Sequence, residues 1–363
     1  MASALVLAAL LLPAGGRAAG GALEHMRPPP IEHISRIELA HVHVRTFSYV
    51  ANDGRPHLAY VVLPDWYDEV HWNPPLPLVI APHGRGTDAR SMLRRFGKLP
   101  ALGTFALVSP EGQGRRFEHF SWGYTGQVDD LARMPGFLTA ALPWLRIDRS
   151  RIYAFGTSMG GQEVLLLAAR HPELLAGVAA FDSTVDLALQ YRNFSKLRCS
   201  PECRRNWNGP LVHVLRAFAR REIGGSPRTA RHAFAVRSPL SYARQLAESG
   251  VAVQLWWTKR DRIVRNPLRQ SRALFDRLSV LNPAMHLEGF VGDWPHARVM
   301  HDDAGLPLAL ARFGLLGRRD VPANAGVGIR RVTVSAPPRD RGCAPGRRPA
   351  GRPQCLRGRG RTG

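Results

Sequence analysis

Cysteine and acid are both scarce in this chain. Its 363 residues hold 4 Cys, and 28 Asp and Glu stand against 50 Lys and Arg, for a formal net charge of +22. Cys199 and Cys203 have no nearby second pair, which argues against a four-ligand zinc site, and His41 and His43 at the start of a strand read as a surface pair. No internal repeat is evident. No apolar run reaches the ~20 residues of a membrane span, and the longest, Met1 to Ala14 with Gly- and Ala-rich residues on to Ala22, reads as a secretory signal lacking the usual basic start. Residues 1–22 are therefore expected to be a signal peptide and the chain to be secreted or extracytoplasmic. In that setting Cys199 can close a small loop with Cys203, and Cys343 can pair with Cys355.

A charge of +22 by itself would suggest nucleic acid, but its distribution points elsewhere. From Arg318 onward, 12 arginines face only Asp320 and Asp340, so this stretch carries +10 and everything before it +12. Residues 318–363 are rich in Arg, Gly and Pro with almost no apolar periodicity, and are expected to be a disordered tail. Such a tail suits weak binding of anionic surfaces, and no specific nucleic-acid partner is expected. The remaining composition, 45% hydrophobic overall, suffices for one α/β domain with insertions.

The densest signal lies at Gly156-Thr157-Ser158-Met159-Gly160-Gly161. Arg151 to Phe155 before it is a β-branched and aromatic run, and Gln162 to Arg170 after it is an apolar helical run. Strand, Gly-x-Ser-x-Gly turn and helix in that order form the nucleophile elbow of serine hydrolases. Gly156 and Gly160 sit where side chains would collide as the turn closes. A bare Gly-x-Ser-x-Gly is weak evidence; its flanks give it weight.

With this elbow, and with Val128-Asp129-Asp130-Leu131, Pro143 to Phe155, Arg237 to Tyr242 and the Asp261-x-x-Val264 turn, the chain resembles the α/β-hydrolase superfamily over residues 36–316. It is similar in particular to the catalytic domain of prolyl oligopeptidases and to the dienelactone hydrolase, feruloyl esterase and polyhydroxybutyrate depolymerase group. The resemblance implies a mostly parallel sheet with helices on both faces and a triad in the order Ser, acid, His. Val251 to Thr258 reads as a buried strand ending in a polar turn with Asp261, the expected acid; Asp182, after the preceding strand, is the rival. His286 to Val291 reads as the last strand, followed by the loop that presents His296, the expected base. His301 is expected inside the helical stretch that follows, away from the chemistry. Pro77 to Gly86 is an apolar strand ending in a His-Gly turn, which makes the Arg85 N–H, with that of Met159, the expected oxyanion donors and His83 a structural residue of the turn.

The polar, aromatic-rich stretch at about 184–235 is too long for a simple connection and is expected to be a small cap. Trp122, after the fourth strand, is expected to line the pocket. The chemistry implied is acyl transfer to Ser158 with no cofactor and no metal, on a small ester or peptide substrate. Carboxylic esters are favoured, with a peptidase of the prolyl oligopeptidase type as the alternative and a non-catalytic binding protein on the same fold as a third reading. The stretch before the sheet is far too short for the propeller that precedes the prolyl oligopeptidase domain, which counts against gated oligopeptide cleavage.

Overall fold

A computed structural model describes residues 41–112, 122–197 and 211–333. The strands are β1 (Val42–Val50), β2 (Pro56–Pro64), β3 (Leu76–Ile80), β4 (Ala106–Pro110), β5 (Ile147–Thr157), β6 (Gly177–Phe181), β7 (Ala252–Thr258), β8 (Leu287–Gly292) and β9 (Arg330–Val332). They form one sheet in the order β1-β2-β4-β3-β5-β6-β7-β8-β9. The six strands from β4 to β8 run parallel, while β1, β2 and β9 pair antiparallel. The helices are α1 (Ala89–Phe96), α2 (Leu99–Gly103), α3 (Thr125–Ala141), α4 (Met159–Arg170), α5 (Leu187–Phe194), α6 (Leu211–Ile223), α7 (Arg231–Ala235), α8 (Ala243–Glu248), α9 (Ser271–Leu281) and α10 (Leu306–Arg312).

Strand alternation distributes the core. In β5, Ile152 and Ala154 join the cluster under α3, α4, α8 and α9, whereas Tyr153 and Phe155 join the one under α1, α2 and α10. Both faces of the parallel strands are thus apolar and covered by helices, as a sheet built by crossover connections requires. Near the carboxyl ends, Phe181, Trp256 and Phe290 are register partners on β6, β7 and β8, and their rings stack at centroid distances of 5.4 and 4.0 Å. Each such pair contributes about 1 kcal/mol beyond the area it buries. This ladder lies directly below the loops that carry Asp182, Asp261 and His296.

Within the stretch 184–235 the described residues form α5, α6 and α7. Leu187, Tyr191, Phe194, Leu215, Ala219, Ile223 and Phe234 form a small core of their own, joined by Trp122. Cys199, Cys203, Cys343, Cys355 and the signal peptide expected at residues 1–22 lie outside the described residues.

Three expectations need correction. The tail does not begin at residue 318: Val321 and Ile329 pack on the core, Ala325 is 2% exposed, and β9 pairs with β8 at Gly289↔Val332 and Val291↔Arg330. Composition misled here because a few well-spaced apolar residues can dock on a finished domain without the periodicity of a helix or an independent strand. For the same reason β8 is not the last strand. His301 is not helical either; residues 297–304 form successive turns, and α10 starts only at Leu306.

Candidate active site

Ser158, Asp182, Asp261 and His296 all follow the carboxyl ends of parallel strands, β5, β6, β7 and β8, and Gly84 and Arg85 follow β3. Ligands of open α/β sheets bind at this end. Ser158 has φ 58°, in the left-handed region, and caps α4. The strain is held by neighbours: its N–H donates to the Phe181 carbonyl at 2.9 Å, and its own carbonyl accepts from Gln162. A Cβ on Gly156 would strike the Gly160 carbonyl, and one on Gly160 the carbonyl of Pro82, so glycine alone lets the turn close.

His296 and Asp261 are brought together. Nδ1 of His296 lies 2.8 Å from Oδ2 of Asp261, whose side chain is 2% exposed. Oδ1 of the same carboxylate accepts from the Ile263 and Val264 N–H groups at 2.8 Å each, which fixes the acid in the Asp261-x-x-Val264 turn. Burial lowers the imidazole pKa, but the Asp261 charge and hydrogen bond outweigh it, and His296 ends above its ordinary value. Its Nε2 is buried and has no hydrogen-bond partner among the described residues.

Asp182 takes a different part. One oxygen accepts from the Thr258 N–H at 3.0 Å, the other from the Ala297 N–H at 2.8 Å and the Trp294 indole N–H at 3.0 Å. It therefore ties the His296 loop to the end of β7. Burial and the neighbouring Asp261 charge push its pKa up to about 7 against the pull of His296. Ligand atoms of Asp182, Asp261 and His296 lie within 4.8 Å of one another, the one such trio among the described residues. The Asp261–His296 pair is spent on itself and Asp182 on its donors, so the trio is arranged as a hydrogen-bond network rather than a cation cage.

On the other side of Ser158, a Cβ on Gly84 would sit 3.8 Å from the serine Cβ. His83 holds this turn, its Nδ1 bonding the Gly84 carbonyl at 2.9 Å while Nε2 accepts the Gly112 N–H at 3.0 Å. Arg85 is 2% exposed, with Nη1 donating to Glu222 of α6 at 2.8 Å and Nη2 to the same carboxylate. Met159 opens α4, and its Sδ receives the Trp122 N–H at 3.4 Å. The Trp122 ring is 4% exposed, 5.1 Å from the Arg85 guanidinium and 5.2 Å from Phe194, so in this conformation it packs in the cap cluster.

Sequence reading missed Arg95, Glu163 and Glu222. Arg95 reaches from α1 to the Ala297 and Met300 carbonyls at 2.7 and 3.2 Å, and burial lowers its pKa to about 10. Glu163 is fully buried on α4, makes no hydrogen bond with either oxygen among the described residues and has its pKa raised by burial to about 8. A glutamate in front of Val164-Leu165-Leu166-Leu167 is the one legible signal for it, since acids rarely enter so apolar a face.

No protein-family model matches the chain. Over 114 residues it is 34% identical to a protein of Nocardia uniformis subsp. tsuyamanensis provisionally named as the esterase NocK, covering 29% of this chain and 32% of that one. The chain thus spans about a third of that relative. Among solved structures, the esterase rPPE superposes at a TM-score of 0.54 with 15% identity, over 78% of this chain and 83% of that one. A Pyrobaculum calidifontis esterase gives 0.53 and 16% over 71% and 78%. The Pyrococcus horikoshii acylaminoacyl peptidase gives 0.53 and 14% over 73% of this chain and 39% of its own. The fold is that of an α/β-hydrolase. Its neighbours include both esterases and peptidases of the acylaminoacyl and prolyl oligopeptidase kind.

Proposed function

We propose that the chain is a serine hydrolase acting on carboxylic esters through an acyl-enzyme. The observation that carries this reading is the strained Ser158 on its elbow, at the same sheet end as a His296 held by Asp261 with Nε2 uncommitted. In this mechanism Ser158 Oγ attacks the carbonyl carbon while His296 Nε2 takes its proton. The Arg85 and Met159 N–H groups receive the oxyanion. The carbonyl re-forms as the alkoxide leaves with the proton from His296, and water repeats the sequence to release the acid. Asp261 holds the proton-bearing Nδ1 and stabilises the imidazolium.

Esters are favoured because the matched segment belongs to a protein named as an esterase and because an alkoxide leaves more readily than an amine. A fluorophosphonate probe should label the wild type once per chain and leave Ser158→Ala unlabelled, and a panel of aryl esters and peptide amides should show turnover of the esters. Amide turnover matching ester turnover would assign the peptidase reading instead. Export belongs to the same proposal and rests on Met1 to Ala22; an N-terminus beginning after Ala22 in protein recovered from the medium tests it.

A further inference from the structure

Arg85 and Glu222 lie 137 residues apart and meet as a two-pronged ion pair whose side chains are each 1% exposed. A buried pair of this kind adds little net stability, because desolvation offsets the attraction; it acts chiefly by fixing one geometry. Two guanidinium nitrogens against two carboxylate oxygens leave no rotational freedom.

We propose that Glu222 is a positioning residue that couples the seating of α6 in the cap to the shape of the oxyanion hole through the buried Arg85 side chain. The inference rests on the reading above that the Arg85 N–H is an oxyanion donor. The guanidinium is clamped by Glu222 and lies over the Trp122 ring, and the residue one step back, Gly84, borders the nucleophile closely enough that a Cβ added there would lie 3.8 Å from the Ser158 Cβ. Clamping the end of the side chain restrains the direction of its backbone N–H. The second donor is tied to the same assembly: Met159 Sδ receives the Trp122 N–H, and the Trp122 carbonyl accepts from Gln162 Nε2 at 2.9 Å. Both donors are thus referenced to the cap. Glu163 lies close enough to feel the Arg85 charge, but it is Glu222 whose carboxylate meets the guanidinium at hydrogen-bond distance.

The hole binds charge that exists only in the transition state, so loosening it lowers kcat and leaves KM nearly alone. Removing a donor outright costs ~10²–10³ in kcat, and misdirecting one is expected to cost ~10- to 100-fold. The test measures kcat and KM on p-nitrophenyl acetate, the inhibition constant of an alkyl trifluoromethyl ketone, and melting temperature. The variants are Glu222→Gln, Arg85→Lys and the charge swap Arg85→Glu with Glu222→Arg. Both single variants should lose kcat and weaken the ketone by the same factor with KM within about twofold, and the swap should recover most of the loss, since the donor itself is backbone. Arg85→Lys keeps the charge without the fork, and so reports even where Glu222→Gln does not fold. Unchanged kcat in the folded single variants overturns the proposal, as does a fall in kcat that tracks melting temperature without loss of ketone affinity. A wild type that hydrolyses no ester and takes no fluorophosphonate overturns the proposed function as well.

Discussion

In the proposed mechanism His296 sets the pH behaviour. The base works as neutral imidazole, and its folded-state pKa is raised by Asp261, so kcat/KM should climb with pH along a limb whose midpoint lies above the ordinary histidine value of 6.5. Asp261→Asn removes the charge that outweighs burial and the acceptor that fixes the tautomer. Its limb should shift to lower pH, and kcat should fall by ~10⁴. Asp182→Asn should act differently. It puts an amide where three N–H groups seek an acceptor, so it should lower the melting temperature by several degrees while costing kcat less than Asp261→Asn does. The reverse order of kcat losses would assign Asp182 as the triad acid. Glu163 affects stability. Its folded state keeps a proton that the unfolded chain has released anywhere between pH about 4.5 and about 8, so stability falls as pH rises through that window. Glu163→Gln should melt higher than wild type by a margin that widens across the window and reaches a few kcal/mol at most. Melts at several pH values check it, and a constant margin would contradict it.

At the level of elements, the elbow, the strands from β3 to β8 and the two loops bearing Asp261 and His296 were legible because each pairs an apolar run with a local turn signal. The sequence suggested a backbone role for Arg85 and none for its side chain, since the partner is 137 residues away in a helix whose packing no periodicity reveals. Asp182 was legible only as a rival acid; its role as a brace depends on N–H groups from β7 and from the His296 loop, which only the folded register brings together. The C-terminal docking was illegible, because three scattered apolar residues in an Arg- and Gly-rich stretch look like linker. It yields a sharp prediction. Ending the chain after Gly317 removes β9 and the packing of Val321, Ala325 and Ile329, at about 1 kcal/mol for each side chain, and should lower the melting temperature by several degrees. Ending it after Thr333 removes no described element and should leave the melt unchanged. Differential scanning calorimetry on the two truncations separates these outcomes.

Across the whole molecule, positive charge is sorted along the chain. Residues 334–363 carry eight arginines against Asp340, a net of +7, while the described segment 318–333 carries four arginines against Asp320. Binding to an anionic surface should therefore follow the last thirty residues: the full chain should elute from heparin at higher salt than the chain ending after Thr333, with equal ester turnover. Equal elution would place the anionic contact on the folded domain. No helix among the described residues is long and apolar enough to cross a membrane.

The short β9 also bears on how the molecule keeps to itself. An uncovered β8 would offer a row of free N–H and C=O groups along Gly289, Phe290 and Val291, a template onto which another chain can add a strand. β9 occupies that row, and its outer rim carries Arg330 and Arg331 over only three residues, too short and too charged to be extended in turn. A proteolytic cut between Gly317 and Arg330 would therefore do more than loosen the domain: it would leave a sticky sheet margin beside the active centre, and the clipped protein should accumulate as β-rich aggregates while the intact protein stays dispersed.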